Sequence, residues 1–389
     1  MAKDIHKSKF DEGTLTKLTI LREYFKAWLP VFLKDRKFNY EKIQIYDFFA
    51  GEGTDTIGTK GSPLVFLEEL RVYCNSISER KQKVELFFNE YKKEKFQKLQ
   101  NTIIDFVSQC KSSEFCSIKS STDCAFTYSI ENKDFAVLFS ELFAEMIRKP
   151  RFPRFMFLDQ NGIKFIDHDV FSKLISLSRT DFLFFISSAY ASRFAELPEF
   201  KKYLSVERQD FDESKPYHCH RVILNYYKNL IPQGKEYYLA PFSIKKPNSG
   251  NIYGLIFGSN SPLGLEKFLN TAWKLDQHTG EANFDIDNDK IRTGQMSFFA
   301  EENIIKKVGY FKKSMVEFLD GKPRTNKEVY LFTLESGFTV RHANNILNEL
   351  QSDNELNAVY TTSTEKVRKN SFYLKFNSEK EILLSYEKH

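Results

Sequence analysis

The sequence predicts an α/β fold, an open and mainly parallel sheet followed by a smaller winged-helix domain. Over residues 43–257 short apolar runs alternate with amphipathic stretches, the order of a sheet covered by helices on both faces. Past about residue 295 the order changes to three helices and a hairpin. The 389-residue length exceeds what one small core fills, since domains run ~100–200 residues. Two domains are therefore expected, 1–290 and 291–389, joined near the polar run 286–297.

Leu18, Ile20, Leu21, Tyr24, Phe25 and Trp28 recur at helical spacing and predict an amphipathic helix over 14–35. The apolar strand 43–49 runs into a glycine-bearing loop, and Ser62 with Pro63 opens the next helix as N-cap and first-turn proline. Residues 84–90 read as a second strand and 91–109 as its helix. A third strand is expected at 117–123, a helix at 134–148, a fourth strand at 155–159 and a fifth at 183–188. Residues 237–240 and 252–257 supply late strands. The C-terminal part reads as helices at 300–320, 325–336 and 339–353, then strands at 358–361 and 372–376 around a basic loop.

Composition removes several classes. With 39 phenylalanines and 19 tyrosines the chain has the aromatic core material that disordered proteins lack. No apolar run approaches ~18 residues and the first residues lack the hydrophobic stretch of a signal peptide, so a cytoplasmic protein is expected. Cys74, Cys110, Cys116, Cys124 and Cys219 form no Cys-x-x-Cys pair, which indicates neither a disulfide framework nor a zinc ribbon. His218-Cys219-His220 lies in a polar stretch without further ligands at suitable spacing, so no metal site is expected. A net charge of +5 is mild for this length and does not by itself indicate a polyanion partner.

The strongest chemical signal is Asp47-Phe48-Phe49-Ala50-Gly51-Glu52-Gly53 at the end of the first strand. Ligands of open α/β sheets settle beyond the carboxyl ends of the strands, and glycines there let the backbone approach them. A dinucleotide fingerprint requires a third glycine, but that position is Thr56, and no P-loop pattern or Gly-x-Ser-x-Gly occurs. The segment resembles the first motif of Rossmann-like S-adenosylmethionine methyltransferases. That resemblance implies that Asp47, Phe49, Ala50, Gly51 and Gly53 hold the methionine end of S-adenosylmethionine. Glu90 then takes the ribose hydroxyls, two acceptor oxygens facing a vicinal diol, and Asp123 takes the adenine amino group.

Asp159-Gln160-Asn161 stands where amino-methyltransferases carry an Asp/Asn-Pro-Pro-aromatic tract, and is the candidate catalytic motif that holds the accepting amine. No proline precedes a cysteine, so the nucleophile of the cytosine-C5 class is missing.

The whole chain is similar to the three-Cys-motif partner proteins. The similarity rests on residues 16–28, on Tyr46-Asp47-Phe48-Phe49-Ala50-Gly51-Glu52-Gly53 with Gly61-Ser62-Pro63-Leu64, on Phe87–Glu90 and Phe157–Gly162, and on 253–268 with Ala272-Trp273. It departs from the family where Gln160 and Asn161 replace the usual proline and aromatic. The resemblance implies a bacterial methyltransferase-like fold with a winged-helix-like end, often encoded beside a phage-type protein bearing a three-cysteine motif. This chain would be the partner of that protein, in a mobile-element or phage-defence setting.

The C-terminal part carries the nucleic-acid expectation. Lys306, Lys307, Lys312, Lys313, Lys322, Arg324 and Lys327 cluster against only Glu317 and Asp320, and Lys366, Arg368 and Lys369 sit in the expected wing. Arg341, Asn344 and Asn345 fall at the start of the expected recognition helix, where base edges are read. The candidate DNA or RNA contacts are Lys312, Lys313, Arg324, Arg341, Asn344, Asn345, Arg368 and Lys369. A rival reading is a methyltransferase fold without chemistry, acting as an adaptor for nucleic acid or a partner protein. A hydrolytic effector lacks a metal-binding acid set, because the strand-end acids are already assigned.

Overall fold

The computed structural model describes residues 8–34, 40–112, 116, 124–160, 162–246, 251–288, 306–363 and 365–387. The chain divides into two units, Met1–Gly264 and Leu265–His389. In the first, five strands run parallel: β1 (Lys42–Asp47), β2 (Lys83–Asn89), β3 (Phe126–Glu131), β4 (Arg154–Leu158) and β5 (Thr180–Ile186). β6 (Tyr238–Lys245) and β7 (Ile252–Ser259) complete a sheet of order β3-β2-β1-β4-β5-β7-β6, with β7 antiparallel to both its neighbours. The chain leaves β1 toward β2 on one side and returns to β4 on the other, so the sheet reverses its order between β1 and β4. This switch point is where such sheets bind ligands.

Helices cover both faces. α1 (Glu12–Lys34) and α2 (Ser62–Arg71) lie on one, where Tyr24 packs 5.5 Å from Phe155 and 5.0 Å from Phe257 and Phe66 meets Phe155 at 5.9 Å. α3 (Cys74–Glu79) and α4 (Lys93–Ser112) follow on either side of β2 in the sequence. The opposite face buries Tyr46, Met156, Leu158, Phe182 and Phe184 against residues of α5 (Phe135–Arg148), α6 (His168–Ser176) and α9 (Cys219–Asn229). Two short helices, α7 (Ser188–Phe194) and α8 (Pro198–Lys201), follow β5. Burial of this many aromatic side chains is the main source of stability, at roughly 25 cal/mol per Å² removed from water.

Most expected elements of this unit form within a few residues of their expected ends. The third strand is β3 at 126–131, and the expected 117–123 lies outside the described residues. β3 is a sheet edge and leaves Thr127 and Tyr128 exposed, so its pattern carries little apolar signal. The stretch 218–220, read as polar, lies at the start of a helix. Its last two residues open α9 and are buried, with His220 Nδ1 2.7 Å from Ser188 Oγ and Nε2 3.0 Å from the Leu255 carbonyl oxygen. Gly254 makes this possible, because a Cβ there would stand 2.2 Å from the imidazole.

The second unit takes in most of α10 (Pro262–Leu275) and contains α11 (Lys306–Leu319), α12 (Asn326–Glu335) and α13 (Val340–Ser352). β8 (Arg324–Thr325), β9 (Leu356–Tyr360) and β10 (Ile382–Tyr386) form an antiparallel sheet of order β8-β10-β9. Stacked Phe311 and Phe338, 4.0 Å apart, and Phe318 and Phe332, 4.1 Å apart, fill the space between the helices. The partner of β9 is 382–386 and not the expected 372–376. Tyr373 interrupts that run with φ +52°, while Phe372 and Leu374 turn inward to the core. The loop between β9 and β10 is therefore longer than expected. Buried Asn326 ties its far end, donating from Nδ2 to the carbonyls of Tyr373 (3.1 Å) and Lys380 (3.0 Å) and accepting from the Ile382 amide at 3.3 Å.

Candidate cofactor and nucleic-acid sites

Strand register decides which side chains meet at the carboxyl end of the sheet. Asp47 pairs with Phe88 on one side and Phe157 on the other. Side chains alternate along a strand, so Glu90 and Asp159, each two residues further, project from the same face as Asp47. That is the face covered by α1 and α2. Three of the candidate acids thus converge at one end of one face.

The glycine loop is held in place by this group. The Ala50 amide donates to the Asn89 carbonyl at 2.9 Å and the Gly51 amide to Glu90 Oε2 at 3.1 Å, while Glu90 Oε1 accepts from the Lys92 amide at 2.8 Å. Gly51 and Gly53 have φ of +66° and +88°, which favour glycine. A Cβ on Gly53 would also meet Thr102 of α4 at 2.8 Å. Asp55 fixes the loop's far side, accepting from the amides of Ile57, Thr59 and Phe10. Phe49 packs its ring 5.0 Å from Phe135 and 5.2 Å from Phe165, on the other face. Asp123 lies outside the described residues. Next to Glu90, Tyr91 is exposed, and Asn132 donates to the carbonyls of both at 2.7 and 2.8 Å.

Asp47 is buried, and among the described residues its Oδ2 has no hydrogen-bond partner. Burial pushes its carboxyl up to about 7, aided by the charge of Asp159 and opposed by Ser62, the Phe49 amide and Lys17. Asp159 forms an ion pair with Lys17 of α1, whose side chain is almost wholly buried and whose ammonium lies 4.7 Å from the centre of the Phe185 ring. Gln160 points to the other side and is buried, its Oε1 accepting from the Phe165 amide at 2.9 Å, its Nε2 unpartnered among the described residues. Asn161 lies outside the described residues.

Lys17 is the residue that sequence reasoning missed. It was visible as the one charge in the 17, 21, 24, 28 register of an otherwise apolar helical stripe.

Cys74 is pushed up to about 12 by burial and by its neighbours Cys110, Cys124 and Cys116. Among the described residues no group of three histidine, cysteine or acidic side chains is arranged to hold a metal ion.

In the second unit the candidate contacts separate into engaged and open ones. Lys312 pairs with Glu349 at 2.6 Å. Arg324 lies over the Phe318 ring at 4.3 Å and donates to its carbonyl at 3.1 Å, a packing role. Lys307 is drawn inward to Glu281 (3.2 Å) and the Thr279 carbonyl. Lys313, Arg341, Asn345, Arg368 and Lys369 are exposed, and Asn344 is half-buried.

The loop after β9 docks on the end of α13. Asn370 meets Asn348, Lys369 donates to Ser352 at 2.8 Å, and Gln351 donates to the Val367 carbonyl at 2.8 Å. These contacts lie on the second half of α13, and on its first turns Arg341 and Asn345 are exposed with Asn344 half-buried beside them. Thr339 and His342 cap that helix reciprocally, and burial, then Arg341 and Lys307, push His342 down to about 4. A neutral imidazole can accept the Thr339 amide.

Residues 283–363 match the family model of the GMT-like wHTH domain, a winged helix-turn-helix. A solved structure described as DszA carbon methyltransferase is similar over 61% of this chain, at 13% identity and a TM-score of 0.29. The similarity spans 53% of that protein, about half its length. No curated protein matches the sequence. Among the described residues no helix is long and apolar enough to cross a membrane.

Proposed function

We propose that this chain is an S-adenosylmethionine-dependent methyltransferase acting on nucleic acid, with the cofactor beyond β1 and β2 and the winged-helix region gripping the substrate. One observation carries the reading. The Gly51 amide, in a left-handed glycine turn, is fastened to Glu90 at the end of the next strand, with Asp47 and Asp159 on the same face. A nucleoside with a sulfonium and an amino-acid tail needs such a loop and such acceptors. S-adenosylmethionine, when bound, supplies the methyl group. The protein's share is placement, since in-line alignment supplies much of the rate of such a transfer.

Asp47, Phe49, Ala50, Gly51 and Gly53 would seat the methionine end, Glu90 the ribose, and Asp123 the adenine. Asp159, Gln160 and Asn161 would flank the acceptor. The similarity to three-Cys-motif partner proteins extends the proposal to a protein partner with that motif, in a mobile-element or phage-defence setting.

The test is calorimetry with S-adenosylhomocysteine. Wild type should bind, and Glu90→Ala should lose about 1–3 kcal/mol through hydrogen bonds to a charged acceptor. Unchanged affinity in the variant removes Glu90 from the site.

A second reading is favoured by the Lys17–Asp159 ion pair and by buried Gln160, which leave the expected acceptor tract engaged within the protein. There the fold is an adaptor for nucleic acid or a partner. Transfer of labelled methyl to mixed nucleic acids by wild type decides between the two.

A further inference from the structure

Lys17 is an unusual residue for its position. Its side chain is 5% exposed, yet its ammonium carries three N–H groups and among the described residues makes one hydrogen bond, to Asp159, with the Phe185 ring beside it. A buried cation with unused donors is costly unless further acceptors reach it. Asp159 is the more open partner at 18% exposure, and Asp47 on the same face keeps one carboxyl oxygen unpartnered among the described residues. A cation with spare donors therefore stands beside a carboxyl with an unpartnered oxygen, next to the glycine loop. That pairing complements a zwitterionic α-amino acid group.

Resting on the cofactor reading above, we propose that Lys17 is an exchangeable counter-ion: without cofactor it neutralises Asp159, and it moves to the cofactor's α-carboxylate when cofactor binds. The exchange frees Asp159 for the acceptor amine only after the cofactor is in place. Cofactor then binds before acceptor, and the acceptor carboxylate is masked in the cofactor-free protein. No covalent step is involved.

Two substitutions should act with opposite sign. Lys17→Met should weaken S-adenosylhomocysteine by about 10- to 100-fold, the range of a lost charge-assisted hydrogen bond. Asp159→Asn should tighten it several-fold, because the incoming carboxylate no longer competes for Lys17. The decarboxylated analogue S-adenosyl-3-thiopropylamine, which lacks only the carboxylate, should lose no affinity in Lys17→Met.

The double variant Lys17→Met/Asp159→Asn leaves no charge of the pair uncompensated and guards against misfolding. It should bind S-adenosylhomocysteine as weakly as Lys17→Met does, and the analogue as tightly as wild type. Equal loss of both ligands in Lys17→Met, unchanged S-adenosylhomocysteine binding, or weakening in Asp159→Asn overturns the exchange while leaving the cofactor site standing. Failure of wild type to bind either ligand overturns the cofactor reading itself.

Discussion

Two buried carboxyls of the first unit, Asp47 and Asp181, are pushed up by their surroundings. Asp47 is raised to about 7 and Asp181 to about 6, in each case by burial above all. Asp181 accepts hydrogen bonds from Tyr24 and Ser259, both at 2.6 Å, which only partly offset that burial. Each folded-state value lies above the unfolded one, so the folded protein keeps protons that the unfolded chain has released. Their stabilising effect is therefore full below the ordinary carboxylate range and is lost as pH rises through about 6 and about 7. For each group the slope is at most about 1.4 kcal/mol per pH unit. Denaturant unfolding at a series of pH values from 5 to 8 should show Asp47→Asn with a shallower decline than wild type. An identical slope would mean that Asp47 does not titrate there.

At the level of elements, the long loop between β9 and β10 is held as a unit by Asn326, which serves three backbone groups at once. Asn326→Ala leaves two carbonyls and an amide without their partner. It should cost about 1–3 kcal/mol, read as a lower midpoint in thermal unfolding. This loop also marks where sequence reading failed. Phe372, Leu374 and Phe376 alternate like a strand, but the pattern records only that two of the three are buried, not that the backbone is extended.

The parallel strands β1, β2, β4 and β5 were legible because each is a short, strongly apolar run between helical stretches. Convergence of Asp47, Glu90 and Asp159 was only half legible. Their strand-end positions could be read from the chain, but their common face follows from register, which one strand alone does not specify. Asp159's ion pair with Lys17 joins residues 142 apart and has no local signature.

For the whole molecule, the modest excess of positive charge matters less than which cations remain open. If nucleic acid binds the second unit, Arg341→Ala should weaken duplex or single-strand binding more than Lys312→Ala, since Lys312 already pairs with Glu349. Removing an exposed phosphate-binding cation, as in Lys313→Ala or Arg368→Ala, should also lower the dependence of log affinity on log salt by about one. Fluorescence anisotropy over a salt series measures both effects. Equal losses for Arg341→Ala and Lys312→Ala would place the interface elsewhere.

The strand order also constrains how the chain is made. β7 lies between β5 and β6 yet leaves the ribosome after both, so β5 keeps an unpaired backbone edge while the stretch up to residue 252 is synthesised. At ~5–20 residues per second that interval lasts several seconds, ample time for a nascent chain to stick to its neighbours. Production in cells should therefore benefit from chaperones that shelter emerging polypeptide, and from slower translation at low temperature.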